Sequence, residues 1–219
     1  MRLVNKEYCF LIKDVFSSLS LVGFTKNSLV GNLPQDIQTA LSFSDQQFKV
    51  AYLNQIHSEK VLSVDQAGCY EGDGLFTKNS GLVLVVKTAD CLPLLFESKE
   101  LGVIGAVHMG WKSAKAGILD NLPYELSSFK VVAGVGLRKS CYEVGDDFLN
   151  HQPFKPFIEK TDARFYFNPV EFARSELIAR GLKEDNFIDL DICSLCSKSN
   201  FSSCRRGDTS SRTLSFILR

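Results

Sequence analysis

The feature that most restricts this chain is a set of four uninterrupted apolar runs, at residues 82–86, 92–96, 103–107 and 131–135. Each has the length of a strand, and the first is rich in valine. A strand with one face in water alternates apolar and polar residues, whereas a run with no polar break suits a strand covered on both faces. Further strand-like runs at 21–24, 49–53 and 60–64 are bounded by polar or turn residues, and 98–100 reads as a turn between two of the long runs. Helix signals are fewer. Asn168-Pro169-Val170-Glu171 supplies an N-cap, a proline at the first helical position and a glutamate at the third. Ala173, Leu177 and Ile178 then form an apolar stripe, and Gly181 stops the helix. Two more helices are expected over 113–122, ending before Pro123, and over 36–46. Strands outnumber helices and do not alternate with them, so the expected class is α+β with mixed sheets rather than a doubly wound α/β fold.

At 219 residues the chain can bury a sizeable core without disulfides. No linker or repeat divides it, and one domain over 1–219 is expected. Twenty-five Lys and Arg balance 25 Asp and Glu, which argues against a nucleic-acid partner. No apolar run reaches the ~18 residues of a membrane span, and residues 1–14 mix charges with apolar side chains where a signal peptide has an apolar centre. The expected location is therefore the cytoplasm, away from membranes. Seven cysteines are then thiols, and a special one binds metal or catalyses.

The chain has only three histidines. His57 and His108 each follow a strand-like run, and Cys91 sits in Thr88-Ala89-Asp90-Cys91-Leu92-Pro93 between two apolar runs. Two imidazoles and a thiolate at strand ends can converge as a three-ligand zinc site with its fourth position open. The gaps of 34 and 17 residues match no local metal motif, so spacing alone leaves open a buried cysteine with two unrelated histidines. The same residues also allow a thiol hydrolase, with Cys91 as nucleophile, His108 as base, and Asp90 or His57 orienting it. His151, in Asn150-His151-Gln152-Pro153, reads as an exposed loop residue. Cys193-x-x-Cys196 with Cys204 invites a zinc-ribbon reading but lacks a second pair, and ordinary thiols are the simpler reading. Residues 193–219 hold Lys198, Arg205, Arg206, Arg212 and Arg219 against Asp208 alone, a formal charge of +4. Arginines flanking the turn at 205–212 suit phosphate, or simply a solvated hairpin. Gly72-Asp73-Gly74 marks a tight turn in which Asp73 binds a ligand or caps the turn.

Taken in order, Gln55-Ile56-His57, Gly72-Asp73-Gly74-Leu75, Thr88-Ala89-Asp90-Cys91-Leu92-Pro93, His108-Met109-Gly110-Trp111-Lys112, Cys141-Tyr142-Glu143-Val144-Gly145 and the Arg205-Arg206 turn resemble the laccase-domain family, known also as the polyphenol oxidase and purine nucleoside phosphorylase family. The likeness runs from about residue 50 to the C-terminus. It implies a layered α-β-β-α sandwich, similar in topology to a toxin-type cysteine hydrolase domain. It implies zinc held by His57, Cys91 and His108. It implies phosphorolysis of adenosine, inosine and methylthioadenosine, so purine nucleoside and phosphate are the expected partners, with adenosine deamination alongside. The name laccase implies copper, but a multicopper centre needs many more histidines than three. On this reading Asp90 and Asp73 are the candidates for proton transfer or ligand orientation. Lys26, Trp111, Lys112, Arg205, Arg206 and Arg212 are the candidates for substrate and phosphate binding. Lys26, in Gly23-Phe24-Thr25-Lys26-Asn27-Ser28 before Gly31, and Lys112 stand where the family carries arginine, and Cys204 stands where it carries tyrosine. Lysine offers a point charge without a bidentate fork. These departures keep a third reading open, a zinc-binding protein that has lost catalysis.

Overall fold

A computed structural model describes residues 1–17, 20–26, 32–44, 46–197 and 201–219. Asn27, Ser28, Gly31 and Lys198 lie outside the described residues. Strands and helices are numbered here in chain order. The larger sheet has seven strands, in the spatial order β1 (Arg2–Asn5), β2 (Cys9–Lys13), β3 (Leu21–Thr25), β16 (Thr213–Leu218), β8 (Leu82–Thr88), β4 (Lys49–Asn54) and β6 (Gly68–Glu71). Its pairs are antiparallel from β1 to β8 and parallel from β8 to β6. The second sheet runs β15 (Phe187–Asp189), β11 (Lys130–Ala133), β9 (Leu92–Ser98), β10 (Val103–Met109), β7 (Gly74–Thr77) and β5 (Val61–Ser63). It is antiparallel in the middle and parallel at both edges. A small antiparallel sheet joins β12 (Glu143–Val144), β14 (Arg164–Phe167) and β13 (Ile158–Thr161). The class is α+β with mixed sheets, as expected.

The four apolar runs explain why the sheets stack. Along β8, Leu82, Leu84 and Val86 face one apolar cluster while Val83 and Val85 face another. Along β9 and β10, Leu94, Phe96, Val103 and Val107 face outward from the sheet stack, while Leu95, Ile104 and Ala106 face the larger sheet. The inner cluster thus holds residues of both sheets, including Leu53, Leu84, Val86, Leu95 and Ile104. Helix α1 (Leu33–Ala40) covers the far side of the larger sheet through Leu33, Ile37 and Ala40. Helix α3 (Pro169–Ala179) covers the far side of the second sheet through Phe172, Ala173 and Leu177. Truncating a fully buried leucine such as Leu84 to alanine is expected to cost about 2–5 kcal/mol.

Helix α3 begins as read, with the Asn168 side chain accepting from the Glu171 amide, and Gly181 follows it at φ 89°. The other two helices are shorter than expected. The reading of 36–46 corresponds to α1, which starts earlier at Leu33 and ends at Ala40. The reading of 113–122 corresponds to α2 (Trp111–Lys115), after which Gly117 at φ 86° breaks the helix into turns. Strand β16 was hidden by the charge of the C-terminal segment, yet it lies between β3 and β8 in the middle of the larger sheet. No helix among the described residues is long and apolar enough to cross a membrane.

Candidate metal centre and its cavity

Strand β4 ends at Asn54, and the chain turns through His57 at φ 58°. Strand β10 carries His108 near its end, and β9 is preceded by Cys91, with Asp90 at φ 90°. The fold brings these three strand ends together. One donor atom from each of His57, Cys91 and His108 lies within 4.8 Å of the other two. The Cys91 Sγ to His57 Nε2 distance is 3.8 Å, close to the roughly 3.6 Å expected between N and S on one tetrahedral zinc. The two imidazole rings stand edge to face, 4.8 Å apart.

Asp73 organises this cluster from behind. Its side chain is fully buried. Oδ1 accepts from His108 Nδ1 at 2.8 Å and from the His57 amide at 3.1 Å. Oδ2 accepts from the Ser58 amide at 2.6 Å and hydroxyl at 2.9 Å. The Asp73 carbonyl accepts from the His108 amide at 2.7 Å. With Nδ1 engaged, Nε2 is the donor atom His108 has left, the carboxylate–histidine arrangement common behind bound metals. Burial would raise the Asp73 carboxyl, but hydrogen bonds from His108 and Ser58 hold it below the usual carboxylate range. Burial likewise opposes ionisation of Cys91, yet His108 and His57 bring its thiol down to about 6. His108 is buried too, and Asp73 and Cys91 raise it to about 9. The donor set of one thiolate and two imidazoles fits zinc or a softer cation.

Glycine at 110 is required by packing. A Cβ there would lie 2.8 Å from His57 Cδ2 and 3.1 Å from Cys91 Sγ.

Above the cluster lies a cavity of about 700 Å³, within the range of small-ligand sites. His57, Cys91 and His108 line it, as do Asp90, Trp111, Tyr142, Arg205 and Arg212. Lys87 also lines it, a residue hidden in sequence because it sits in an apolar strand. Gln55 positions its backbone, donating to the Lys87 carbonyl and accepting from its amide, both at 2.7 Å. Asp90 uses both carboxylate oxygens, accepting from Ser194 Oγ at 2.8 Å and the Arg205 amide at 2.9 Å. The Arg205 guanidinium lies over the Tyr142 ring and donates to the Glu143 carbonyl at 2.6 Å. Burial, and after it the Cys91 charge, pushes the Tyr142 phenol up.

The other expected anion binders lie elsewhere. Arg206 donates to the carbonyls of Ser194, Leu195 and Phe201 and pairs with Asp208 at 2.7 Å. Lys26 sits over the Phe10 ring and Lys112 over Trp111, and neither is among the cavity-lining residues. His151 is half-buried rather than exposed, stacked on Trp111 at 5.5 Å. Cys193 and Cys196 are joined by Cys141, not by Cys204, which lines the cavity instead. Burial opposes ionisation of Cys193, but amides of Cys196, Arg138 and Leu195 bring its thiol below the usual value. Hydrogen bonding to Cys141 is the leading cause that pushes Cys196 up to about 12.

Fold and site together define a layered α+β protein with a His–Cys–His donor cluster in an open cavity whose lining carries both cations and carboxylates. The chain belongs to the family described as multi-copper polyphenol oxidoreductase laccase, whose model matches residues 21–219. That match reaches further toward the N-terminus than the likeness read from motifs. A purine nucleoside phosphorylase of Deinococcus radiodurans is 38% identical over 118 residues, covering 51% of this chain and 46% of that protein. The aligned part thus spans about half of that relative's length. Adenosine deaminase RL5, from an unknown prokaryotic organism, is 24% identical, covering 94% of this chain and 89% of that protein. The crystal structure of the Bacillus licheniformis protein YfiH has the same fold, with a TM-score of 0.85, 19% identity and coverage of 98% of this chain and 97% of that one.

Proposed function

We propose that the protein is a cytoplasmic, single-domain, zinc-dependent purine nucleoside phosphorylase that also deaminates adenosine. The observation that carries this reading is the His57–Cys91–His108 cluster lining a cavity that also holds Lys87, Arg205 and Arg212 beside Asp90, Glu143 and Asp147. Relatives named for purine nucleoside chemistry support it. Bound zinc would supply a Lewis acid at its open position. The guanidinium groups of Arg205 and Arg212 are suited to orient phosphate, with the Lys87 ammonium adding a point charge. Phosphate oxygen would then bond to the ribose C1′ as the bond from C1′ to the purine nitrogen breaks. Trp111 lines the same cavity, its ring already stacked on His151, and would bound the base pocket. Asp73 is a positioning residue that acts through His108. Asp90 holds the Arg205 backbone and the Ser194 turn against the cavity.

The test is chromatography of adenosine and inosine incubated with purified protein, with and without phosphate and chelator, with His108→Ala as control. Free base that requires both phosphate and metal, and disappears in the variant, is the expected result. Inosine formed from adenosine, with no free base even when phosphate is present, would reassign the main activity to deamination. Zinc-loaded protein that yields no product would overturn the nucleoside reading.

The lowered Cys91 thiol beside His108 and Asp73 favours a second reading, a thiol hydrolase. A topology shared with toxin-type cysteine hydrolases would accord with it. Activity that survives chelation but dies on thiol alkylation would mark that reading; alkylation alone does not, since it also removes a ligand.

A further inference from the structure

Among the described residues a second cluster has metal-site geometry: the sulfurs of Cys141, Cys193 and Cys196 all lie within 4.8 Å of one another. The spacing expected between two thiolates on one tetrahedral zinc is about 3.8 Å. Two of the three belong to a C-x-x-C turn, the spacing that zinc ribbons use. The backbone holds this turn in register with the loop that carries the third. Cys193 bridges to Gly136, and the Ser194 amide donates to the Gly136 carbonyl at 3.1 Å. The Ser197 amide returns to the Cys193 carbonyl at 3.2 Å, closing the turn. Cys141 follows from the same loop, its amide donating to the Arg138 carbonyl at 2.9 Å. Three sulfurs from segments about fifty residues apart in sequence are thereby converged by main-chain bonds that exist without any sulfur contact.

The geometry points to a second metal site, in which Cys141, Cys193 and Cys196 bind zinc or another thiophilic cation as three thiolates. One disulfide would account for two of these sulfurs and strand the third, whereas a metal uses all three. Three thiolates and a dication leave one negative charge. Arg164, Arg205 and Glu143 line the open depression beside Cys141 and Leu195, and Arg164 pairs with Glu143 at 3.4 Å, so one positive charge is left to offset it. The site ties together pieces of the cavity wall. Tyr142 adjoins Cys141, Ser194 donates to Asp90, and Arg206 donates to the carbonyls of Ser194 and Leu195. Its expected role is therefore structural, holding the wall around the first cluster. The inference is independent of the nucleoside reading.

The test is a cadmium titration of the full chain in reductant, read by the ultraviolet sulfur-to-cadmium charge-transfer absorption, with metal content measured separately. Wild-type protein should bind two equivalents. Cys91→Ala should keep one, with a band near full strength for three thiolates. Cys196→Ser, at an exposed position that tolerates the change, should weaken binding in the Cys91→Ala background at least about tenfold. A Cys91→Ala protein that binds no thiophilic cation would overturn the proposal, as would a band indifferent to both Cys141→Ser and Cys196→Ser. Thiol counting that finds a Cys193–Cys196 disulfide surviving the same reductant would also overturn it. Circular dichroism of each variant separates lost binding from lost folding.

Discussion

The two cysteine-bearing clusters are built by opposite means. His57, Cys91 and His108 sit at strand ends and are backed by the fully buried carboxylate of Asp73. Cys141, Cys193 and Cys196 sit on a short helical turn and a C-x-x-C turn, and main-chain amides rather than a carboxylate attend the Cys193 sulfur. Rigid elements and hydrogen-bonded rings hold donors precisely enough to leave one side open to a substrate. Turns held by backbone bonds suffice where donors only need to gather. On the roles proposed for the two clusters, it is the support behind the donors, more than the donor atoms, that separates chemistry from cohesion.

His108→Ala should have the largest effect. Turnover should fall by more than about 100-fold and metal content by one equivalent, with cadmium absorption from the Cys141 cluster unchanged. Loss of both together in metal analysis would break the comparison. Asp73→Asn comes next, with metal affinity at the first cluster down about 10–100-fold, measured by competition with a chromophoric chelator. This variant also has a pH signature in metal-free protein. The folded Asp73 carboxyl lies below its unfolded value, so its contribution is complete above about pH 4 and lost as pH falls through the folded value. Wild-type stability should therefore decline with acid more steeply than that of Asp73→Asn, as read by urea unfolding across that range. A parallel decline would mean the carboxylate does not carry the cluster.

Gly110→Ala should lower turnover about tenfold, an effect of about 1.4 kcal/mol, because the new methyl group displaces the His57 ring. The alanine backbone itself is unstrained at φ −84°, so the melting temperature should move little. The adjacent arginines give the sharpest contrast. Arg206→Ala removes bonds to three carbonyls and Asp208, and should cost about 1–3 kcal/mol of stability by denaturant melts. Arg205→Ala should leave stability within about 0.5 kcal/mol and raise the KM for phosphate instead. A reversal of that pattern would move the anion site to Arg206.

The apolar runs at 82–86, 92–96, 103–107 and 131–135 made the sheets legible, because residues covered on both faces cannot alternate. The cap at Asn168 made one helix legible for an equally local reason. The donor triad was readable by type, and the likeness of motifs to a family joined its members. Strand β16 was not readable, since Arg205, Arg206 and Arg212 before it masked a strand whose partners lie far away in sequence.

The sequence by itself determined which residues carry thiols, imidazoles and charge, and which runs must be buried, because those follow from side-chain chemistry and short-range pattern. Only the tertiary structure decided that Asp73 stands behind His108, that Arg205 faces the cavity while Arg206 faces carbonyl groups, that Lys87 joins the cavity wall, and that Cys141 rather than Cys204 completes the second thiol cluster. The reason is geometric. Which side of a turn a residue faces depends on strand pairings between segments tens of residues apart, and neighbouring side chains in the sequence point opposite ways.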